Sequence, residues 1–138
     1  RSLVRYIFMK KIMVIEDNKD IQEIYKHSFE KAGWEVILED DGFSGVNQVV
    51  EKKPDIILLD LMMPKMDGFQ FLRTLKDNGQ LTMPVVVCSN ISDNEVNTRV
   101  LEAGAAAVIL KVDYLGKQLV EKIAHILEDS VKPAIQEA

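Results

Sequence analysis

The sequence predicts an α/β fold: a doubly wound, five-stranded parallel sheet with helices on both faces. Five short apolar runs alternate along the chain with five stretches of helical periodicity, and this alternation is typical of β-α units. The runs are rich in valine and isoleucine and do not alternate with polar residues, which indicates strands covered on both faces. Because a barrel needs eight such units, we expect an open sheet with the strand order 2-1-3-4-5.

The predicted strands are short segments of almost entirely apolar residues. The first, "KIMVI", directly precedes an acidic pair, and the third, "DIILL", directly precedes Asp60. Runs this short with many β-branched side chains favour strands over helices. The five strands are predicted at 11–15, 35–38, 55–59, 84–89 and 106–110.

Each predicted helix carries apolar residues at helical spacing, with charged residues on its other face. Asn18 is a suitable cap for the first helix, and Gly33 is a suitable end. Ser92 and Glu95 have the spacing of a capping box for the fourth helix, which ends at Gly104. The five helices are predicted at 18–32, 43–52, 68–77, 93–103 and 115–128.

Composition narrows the classes of function. The chain has 138 residues and a net charge of −5, so one domain is expected and direct binding to a nucleic-acid backbone is not. Cys88 is the only cysteine, which rules out an intramolecular disulfide and favours a reducing compartment. No apolar run is long enough for a membrane helix. We therefore expect a cytoplasmic protein that does not contact membranes.

The chain is predicted to contain one domain with short flanking segments. Residues 1–8, "RSLVRYIF", precede a methionine that looks like a native start. They are interpreted as a cloning remnant or a linker from an upstream region, with an extra edge strand as the alternative. Residues 9–128 form the domain, and residues 129–138 are a C-terminal tail or the start of a linker.

Polar and charged residues stand where four of the five predicted strands end. Glu16 and Asp17 follow strand 1, Asp60 follows strand 3, Ser89 ends strand 4 and Lys111 follows strand 5. In an open α/β sheet these ends share one edge, beside the crevice where ligands bind. Carboxylates left alone there would repel one another and their pKa values would rise. A divalent cation relieves that repulsion, and an oxygen-rich site with room for water suits Mg²⁺.

Each of these residues also has an ordinary structural explanation when it is taken alone. An aspartate at a strand end, such as Asp17, is usually a turn former or a helix cap. Lys111 alone would be a solvated surface residue, and Ser89 alone would be a cap. Turn preference does not explain complementary groups at the ends of four different strands, so the joint arrangement favours a functional site.

Four segments resemble the receiver domain of bacterial two-component response regulators, of the chemotaxis-receiver type. They are "VIEDN", "ILLDLMMPKMDG", "VVVCSN" and "VILK". The first two are specific at this separation, whereas the last two are weak alone but correctly placed. The resemblance covers residues 10 to 128 and implies a flavodoxin-like fold with the strand order already predicted.

The resemblance implies a Mg²⁺ site made of acidic side chains and one main-chain group. Glu16 and Asp17 match the acidic pair of the family, in which the second residue binds the ion directly and the first often binds through water. Asp60 and the main-chain carbonyl of Met62 match the other ligands.

The resemblance also implies phosphoryl chemistry. Asp60 matches the phosphoacceptor, Ser89 the hydroxyl that hydrogen-bonds the phosphoryl group, and Lys111 the lysine that pairs with a phosphoryl oxygen. The donor is the phosphohistidine of a sensor histidine kinase, or a phosphotransfer protein of a phosphorelay. The chain would catalyse its own phosphorylation and slow dephosphorylation without being a turnover enzyme.

The implied output is a change of surface. The acyl phosphate is expected to shift the region around the helix at 93–103 and the strand at 106–110, which then signals to a downstream protein or an output domain. We expect a monomer or a weak dimer. Two departures from the family pattern bear on this output, because Val108 replaces an aromatic residue and Val112 replaces a proline.

Three alternatives remain open at this stage. A flavin-binding electron carrier would need a phosphate-cradling loop after strand 1, where Glu16 and Asp17 would repel phosphate. A phosphatase of the haloacid-dehalogenase type would need a second aspartate where Met62 stands. A degenerate receiver, acting as a phosphorylation-independent protein-binding module, is consistent with Val108 and Val112.

Overall fold

The computed structural model describes the backbone of residues 9–90 and 92–137, and the side chains of these except Val112 and residues 131–137. Within these residues, five parallel strands form one sheet in the order β2-β1-β3-β4-β5, which confirms the predicted fold class and strand order. The strands are β1 (Lys11–Ile15), β2 (Glu35–Glu39), β3 (Ile56–Asp60), β4 (Val85–Ser89) and β5 (Ala107–Leu110). The suggestion of an edge strand in residues 1–8 lies outside the described residues.

In the part of the chain that the structure describes, five α-helices connect or follow the strands. They are α1 (Lys19–Lys31), α2 (Gly42–Lys52), α3 (Gly68–Asp77), α4 (Asn94–Glu102) and α5 (Gly116–Glu137), with a short 3-10 helix at Lys111–Asp113. None of the helices in the described part of the chain is long and apolar enough to cross a membrane.

The helices cover both faces of the sheet, and a separate layer of buried side chains lies on each face. Along β1, side chains alternate between the layers: Ile12 and Val14 pack with α1 and α5, whereas Met13 and Ile15 pack with α2, α3 and α4. These four side chains are fully buried, which explains why the strand sequence is apolar throughout rather than alternating. The sheet is therefore rigidly held on both faces.

The helix caps agree with the sequence in part. Asn18 caps α1 by accepting a hydrogen bond from the Ile21 N–H, as predicted. The predicted cap of α4 is wrong: Asp93, rather than Ser92, accepts hydrogen bonds from the N–H groups of Glu95 and Val96. Both residues are good caps, and the carboxylate one position later satisfies two helix-end donors at once.

The last helix is longer than predicted. We expected a helix at 115–128, whereas α5 runs from Gly116 to Glu137. The apolar stripe that marked the helix ends at Leu127, but residues 128–132 contain neither glycine nor proline, so nothing in them stops a helix. An apolar stripe marks where a helix packs against the core, and it does not mark where the helix ends.

Candidate functional site

The strand register brings the predicted site residues to one edge of the sheet. Ile15 pairs with Leu59, so Glu16, the next residue, lies level with Asp60 at the end of β3. Asp60 pairs with Cys88 on β4. The next residue of β4, Ser89, pairs with Leu110 on β5. Parallel strands thus deliver the residues that follow or end β1, β3, β4 and β5 to a common place.

Three carboxylates form the centre of the site. Glu16, Asp17 and Asp60 each contribute an oxygen to a group whose members all lie within 4.8 Å of one another. Glu16 is only 2% exposed and Asp60 only 7%, whereas Asp17 is exposed. Three charges so close together need a positive partner.

Lys111 is that partner within the chain. Its Nζ lies 2.9 Å from Glu16 Oε1 and 3.3 Å from Asp60 Oδ2, and only 14% of its side chain is exposed. Burial alone would lower the pKa of Lys111, but the hydrogen bond to Glu16 and the charges of Asp60 and Glu16 outweigh it, so its pKa is raised. Lys111 is therefore a firmly protonated cation that faces two acids.

The buried position of Glu16 affects its carboxyl. Burial raises its pKa above the ordinary value, although the hydrogen bonds from Lys111 and from the Asn18 N–H oppose this rise and the charge of Asp60 adds to it. The Asn18 N–H lies 3.2 Å from Glu16 Oε2. One oxygen of Glu16 thus faces Lys111 and the other faces the start of α1.

The loop after β3 fixes the position of Asp60. The Met62 N–H lies 3.3 Å from Asp60 Oδ1, and the Leu61 N–H donates to the Cys88 carbonyl at 3.1 Å. Gly68, at the start of α3, passes so close that an added Cβ would lie 3.1 Å from the Leu61 Cα. Glycine therefore allows the loop to fold tightly beside the site.

The structure brings together most of the side chains that the sequence predicted for the site. Glu16, Asp17, Asp60 and Lys111 meet directly, and Ser89 stands at the buried end of β4, 1% exposed. Met62 contributes its N–H to Asp60, and the residue is 65% exposed. The role of the Met62 carbonyl as a metal ligand stays a prediction.

Sequence reasoning missed one residue, Gln22. It is 3% exposed, and its Nε2 donates to the main-chain carbonyl of Glu16 and, at 2.9 Å, to Asp40 Oδ1. A signal was available, because Gln22 lies three residues before Tyr25 and seven before Phe29, on the buried stripe of α1. A polar side chain on such a stripe needs a hydrogen-bond partner inside the fold.

The donor set fits a magnesium ion. Mg²⁺ prefers oxygen ligands, binds through few carboxylates and keeps several waters. Two buried carboxylates beside an exposed one offer such ligands while leaving one side of the site open to water. Soft-metal ligands are not part of this carboxylate group, so zinc or copper would be a poor match.

Comparison with known proteins identifies the family. The family model described as the response regulator receiver domain matches residues 12–124. The phosphate regulon transcriptional regulatory protein PhoB of Escherichia coli strain K12 is 34% identical over 129 residues, which are 93% of this chain and 56% of PhoB. The chain therefore spans about half the length of this curated relative.

Solved structures agree with this assignment. The BeF3-activated N-terminal receiver domain of Klebsiella pneumoniae RstA is 28% identical, with a TM-score of 0.78 over 86% of this chain and 98% of that one. The chemotaxis protein CheY4 of Vibrio cholerae, at 23% identity and a TM-score of 0.79 over the same shares, supports the fold alone. With a family model matched over most of its length, the chain belongs to the response regulator receiver domains.

Proposed function

We propose that this receiver domain is switched by phosphorylation of Asp60, with the phosphohistidine of a sensor histidine kinase or phosphotransfer protein as donor. The observation that carries the proposal is the meeting of three carboxylates within 4.8 Å of one another, with Lys111 Nζ 2.9 Å from one of them and 3.3 Å from another. A buried carboxylate beside a lysine and a cation site has the parts that phosphoryl transfer requires.

Asp60 acts as the nucleophile. One carboxylate oxygen attacks the phosphorus atom while the bond from phosphorus to the donor imidazole nitrogen breaks, and the imidazole keeps that electron pair. The Met62 N–H at 3.3 Å holds Asp60 Oδ1, so the carboxylate is oriented before the donor arrives. Orientation of this kind lowers the barrier because little freedom is lost during the reaction.

Lys111 and Ser89 stabilise the transferred group. In this proposal the Lys111 ammonium, which lies 2.9 Å from Glu16 and 3.3 Å from Asp60, pairs with a phosphoryl oxygen, and the Ser89 hydroxyl donates a hydrogen bond to another. Mg²⁺ bound by Glu16, Asp17, Asp60 and the Met62 carbonyl would offset the negative charge that donor and acceptor share. These groups stabilise negative charge, and phosphoryl transfer depends mainly on such stabilisation.

Self-dephosphorylation reverses the state of Asp60. Water attacks the phosphorus atom of the acyl phosphate, the bond between phosphorus and the Asp60 oxygen breaks, and the carboxylate is restored as inorganic phosphate leaves. Asp17 is exposed, so the site is open to solvent on that side. Slow hydrolysis gives the signal a finite lifetime.

The proposed output is the surface formed by α4 and β5. The phosphoryl group adds roughly −1.5 to −2 charges and draws Ser89 and Lys111, which stand at the ends of β4 and β5. Val108, on β5, is half-buried and packs against the core layer that holds α4. A shift of β5 can therefore reach α4 through direct packing, without an aromatic side chain at position 108, and from there a downstream protein or output domain.

The test is incubation with acetyl phosphate or phosphoramidate, with and without Mg²⁺, followed by intact mass measurement. We expect a gain of one phosphoryl group that depends on Mg²⁺ and is absent in Asp60→Asn. Asp20→Asn is the matched control, because Asp20 is an exposed acid on the neighbouring helix α1, and it should be phosphorylated like the wild type.

A wild-type chain that stays unmodified by both donors in Mg²⁺ would contradict the proposal. That result would support a degenerate receiver that binds partners without phosphorylation, although the complete set of charged groups argues against it. A sensor histidine kinase or phosphotransfer protein as partner, the cytoplasmic location and the monomeric or weakly dimeric state stay predictions.

A further inference from the structure

We propose that Gln22 positions the magnesium-binding loop, and that Asp40 holds Gln22 in place. The loop is defined here as residues 16–18, between β1 and α1. This inference rests on the proposed function, because it concerns the same metal site. It assigns a positioning role to two residues outside the acidic group and outside the set predicted from the sequence.

Gln22 uses both of its donors. Its side-chain amide has two N–H groups; one donates to the Glu16 carbonyl and the other donates to Asp40 Oδ1 at 2.9 Å. Gln22 is 3% exposed, so water cannot easily replace either bond. The amide therefore links the end of β1 to Asp40, the residue that follows β2.

The Glu16 carbonyl is the group that orients Asp17. Carbonyl and N–H of one peptide bond lie in one plane, so the direction of the Glu16 carbonyl fixes the plane that leads to the Asp17 Cα. The Glu16 N–H is already bonded to the Glu39 carbonyl at 3.1 Å, and the Glu16 carboxylate faces Asn18 and Lys111. The hydrogen bond from Gln22 therefore also restricts the orientation of Asp17, the exposed acid of the site.

Asp40 is itself anchored. Lys19 Nζ lies 2.5 Å from the same Oδ1 that accepts the bond from Gln22. Both side chains of this ion pair are more than half exposed, and pairs of that kind contribute little to stability. The pair instead keeps the Asp40 carboxylate turned toward Gln22, and the chain of contacts runs from Lys19 through Asp40 and Gln22 to the loop.

A positioning role and a merely structural role affect different quantities, Mg²⁺ affinity in the first case and stability in the second. Groups that orient metal ligands typically alter metal affinity 10–100-fold when they are lost. A residue needed only for folding would change stability and leave the affinity of the folded chain for Mg²⁺ unchanged. Affinity for Mg²⁺ therefore separates the two roles.

The main variant is Gln22→Met, which keeps the length of the side chain and removes both donors. Calorimetric titration of the full chain with Mg²⁺ alone should give a dissociation constant raised about tenfold. In phosphorylation by acetyl phosphate, the Mg²⁺ concentration at half-maximal rate should rise by the same factor. The rate at saturating Mg²⁺ should return to the wild-type value, because Gln22 does not contact the reacting atoms.

A second pair of variants isolates the hydrogen bond from the charge. Asp40→Ala and Asp40→Asn both remove one negative charge, but the asparagine keeps an oxygen that can accept the bond from Gln22. We expect Asp40→Ala to weaken Mg²⁺ binding more than Asp40→Asn does. This comparison also tests the inference if Gln22→Met fails to fold.

A metal-free measurement gives an independent readout. Amide hydrogen exchange of Asp17 and Asn18 should be faster in metal-free Gln22→Met than in the metal-free wild type, because the loop loses its anchor. Tyr25→Phe is the matched control: Tyr25 is buried one turn further along α1, and its hydroxyl lies near Cys88 Sγ. It should leave loop exchange and Mg²⁺ affinity unchanged.

The outcomes distinguish this inference from the proposed function. Equal Mg²⁺ affinity in Gln22→Met and the wild type would overturn the positioning role, while Mg²⁺-dependent phosphorylation of the wild type would leave the proposed function intact. Equal effects of Asp40→Ala and Asp40→Asn would remove Asp40 from the inference. A wild-type chain that binds no Mg²⁺ would overturn both.

Discussion

Among single residues, Lys111 is the one that makes the acidic site compatible with a folded chain. Glu16 is almost fully buried beside Asp60, and only a positive charge or a proton can offset two carboxylates at that distance. Lys111 reaches both from the end of β5. Its role in the chain is thus to neutralise part of the negative charge of the site.

Replacing Lys111 by methionine should destabilise the metal-free chain. Loss of one partner of a buried ion pair leaves an uncompensated charge; because Glu16 can take up a proton and keeps its bond from the Asn18 N–H, we expect a cost of about 1–3 kcal/mol. Urea unfolding in EDTA, followed by the fluorescence of Trp34, measures it. Lys117→Met is the control, since that side chain is 90% exposed, and equal effects of the two substitutions would contradict the prediction.

Cys88 should be an unreactive thiol in the folded chain. It is 2% exposed, and burial raises its pKa to about 11. Only the thiolate reacts with iodoacetamide, so mass measurement at about pH 8 should show no alkylation of the native chain and full alkylation in urea. Fast alkylation of the native chain would show that β4 opens readily.

The raised pKa of Cys88 also determines how the free energy of unfolding changes with pH. The pKa of the thiol is 9.0 in the unfolded chain and about 11 in the folded chain. Below pH 9.0 the thiol is protonated in both states, whereas between pH 9.0 and about pH 11 it ionises only in the unfolded chain. The unfolded state then binds fewer protons, so the free energy of unfolding should fall as the pH rises through this range. Cys88→Ala should lack this part of the decline.

Helices and strands were predictable from the sequence to different degrees. The strands were predicted well because buried parallel strands are apolar throughout, and β1 has the predicted bounds. Helix ends were harder, since Ser92 and Asp93 are both good caps and only the folded backbone decides which carboxylate or hydroxyl meets the free N–H groups. The end of α5 was wrong for a related reason: an apolar stripe reports packing and does not report where a helix stops.

The cap of α4 gives a direct test at the level of one helix. Asp93→Ala removes the acceptor of the Glu95 and Val96 N–H groups and should lower the free energy of unfolding by about 1 kcal/mol. Ser92→Ala, the matched control, should change it by less than about 0.5 kcal/mol, as expected for an exposed position without a cap bond. Urea unfolding of both variants measures the two effects. A larger loss of stability in Ser92→Ala than in Asp93→Ala would show that Ser92 is the cap, as the sequence predicts.

At the scale of the whole molecule, the topology of the sheet made the site predictable. Parallel strands must end at the same edge, so Asp17, Asp60 and Lys111 could be placed together before any geometry was known. The spacing of Gln22 indicates that it is buried, but its place at the site could not be predicted, because its partners are a main-chain carbonyl and Asp40, and neither follows from residue type. Contacts between side chain and main chain depend on the packed position of α1 against the sheet, which only the structure gives.

Because the site draws on β1 and β3, Mg²⁺ should stabilise the entire fold. Asp17 and Asp60 are far apart in sequence and meet only in the folded chain, so the ion should bind the native state and not the unfolded one. The free energy of unfolding should then rise with the logarithm of Mg²⁺ concentration, by about 2.7 kcal/mol at 100 times the dissociation constant.

Urea unfolding at increasing Mg²⁺ and constant ionic strength measures this gain, and the dissociation constant obtained from it should equal the calorimetric value. Asp17→Asn should lose most of the gain, because it removes the exposed ligand without opening the core, whereas Asp20→Asn should keep it. A gain that persists in Asp17→Asn would place the ion elsewhere on this acidic chain. Constant ionic strength excludes general screening of its negative charge as the cause.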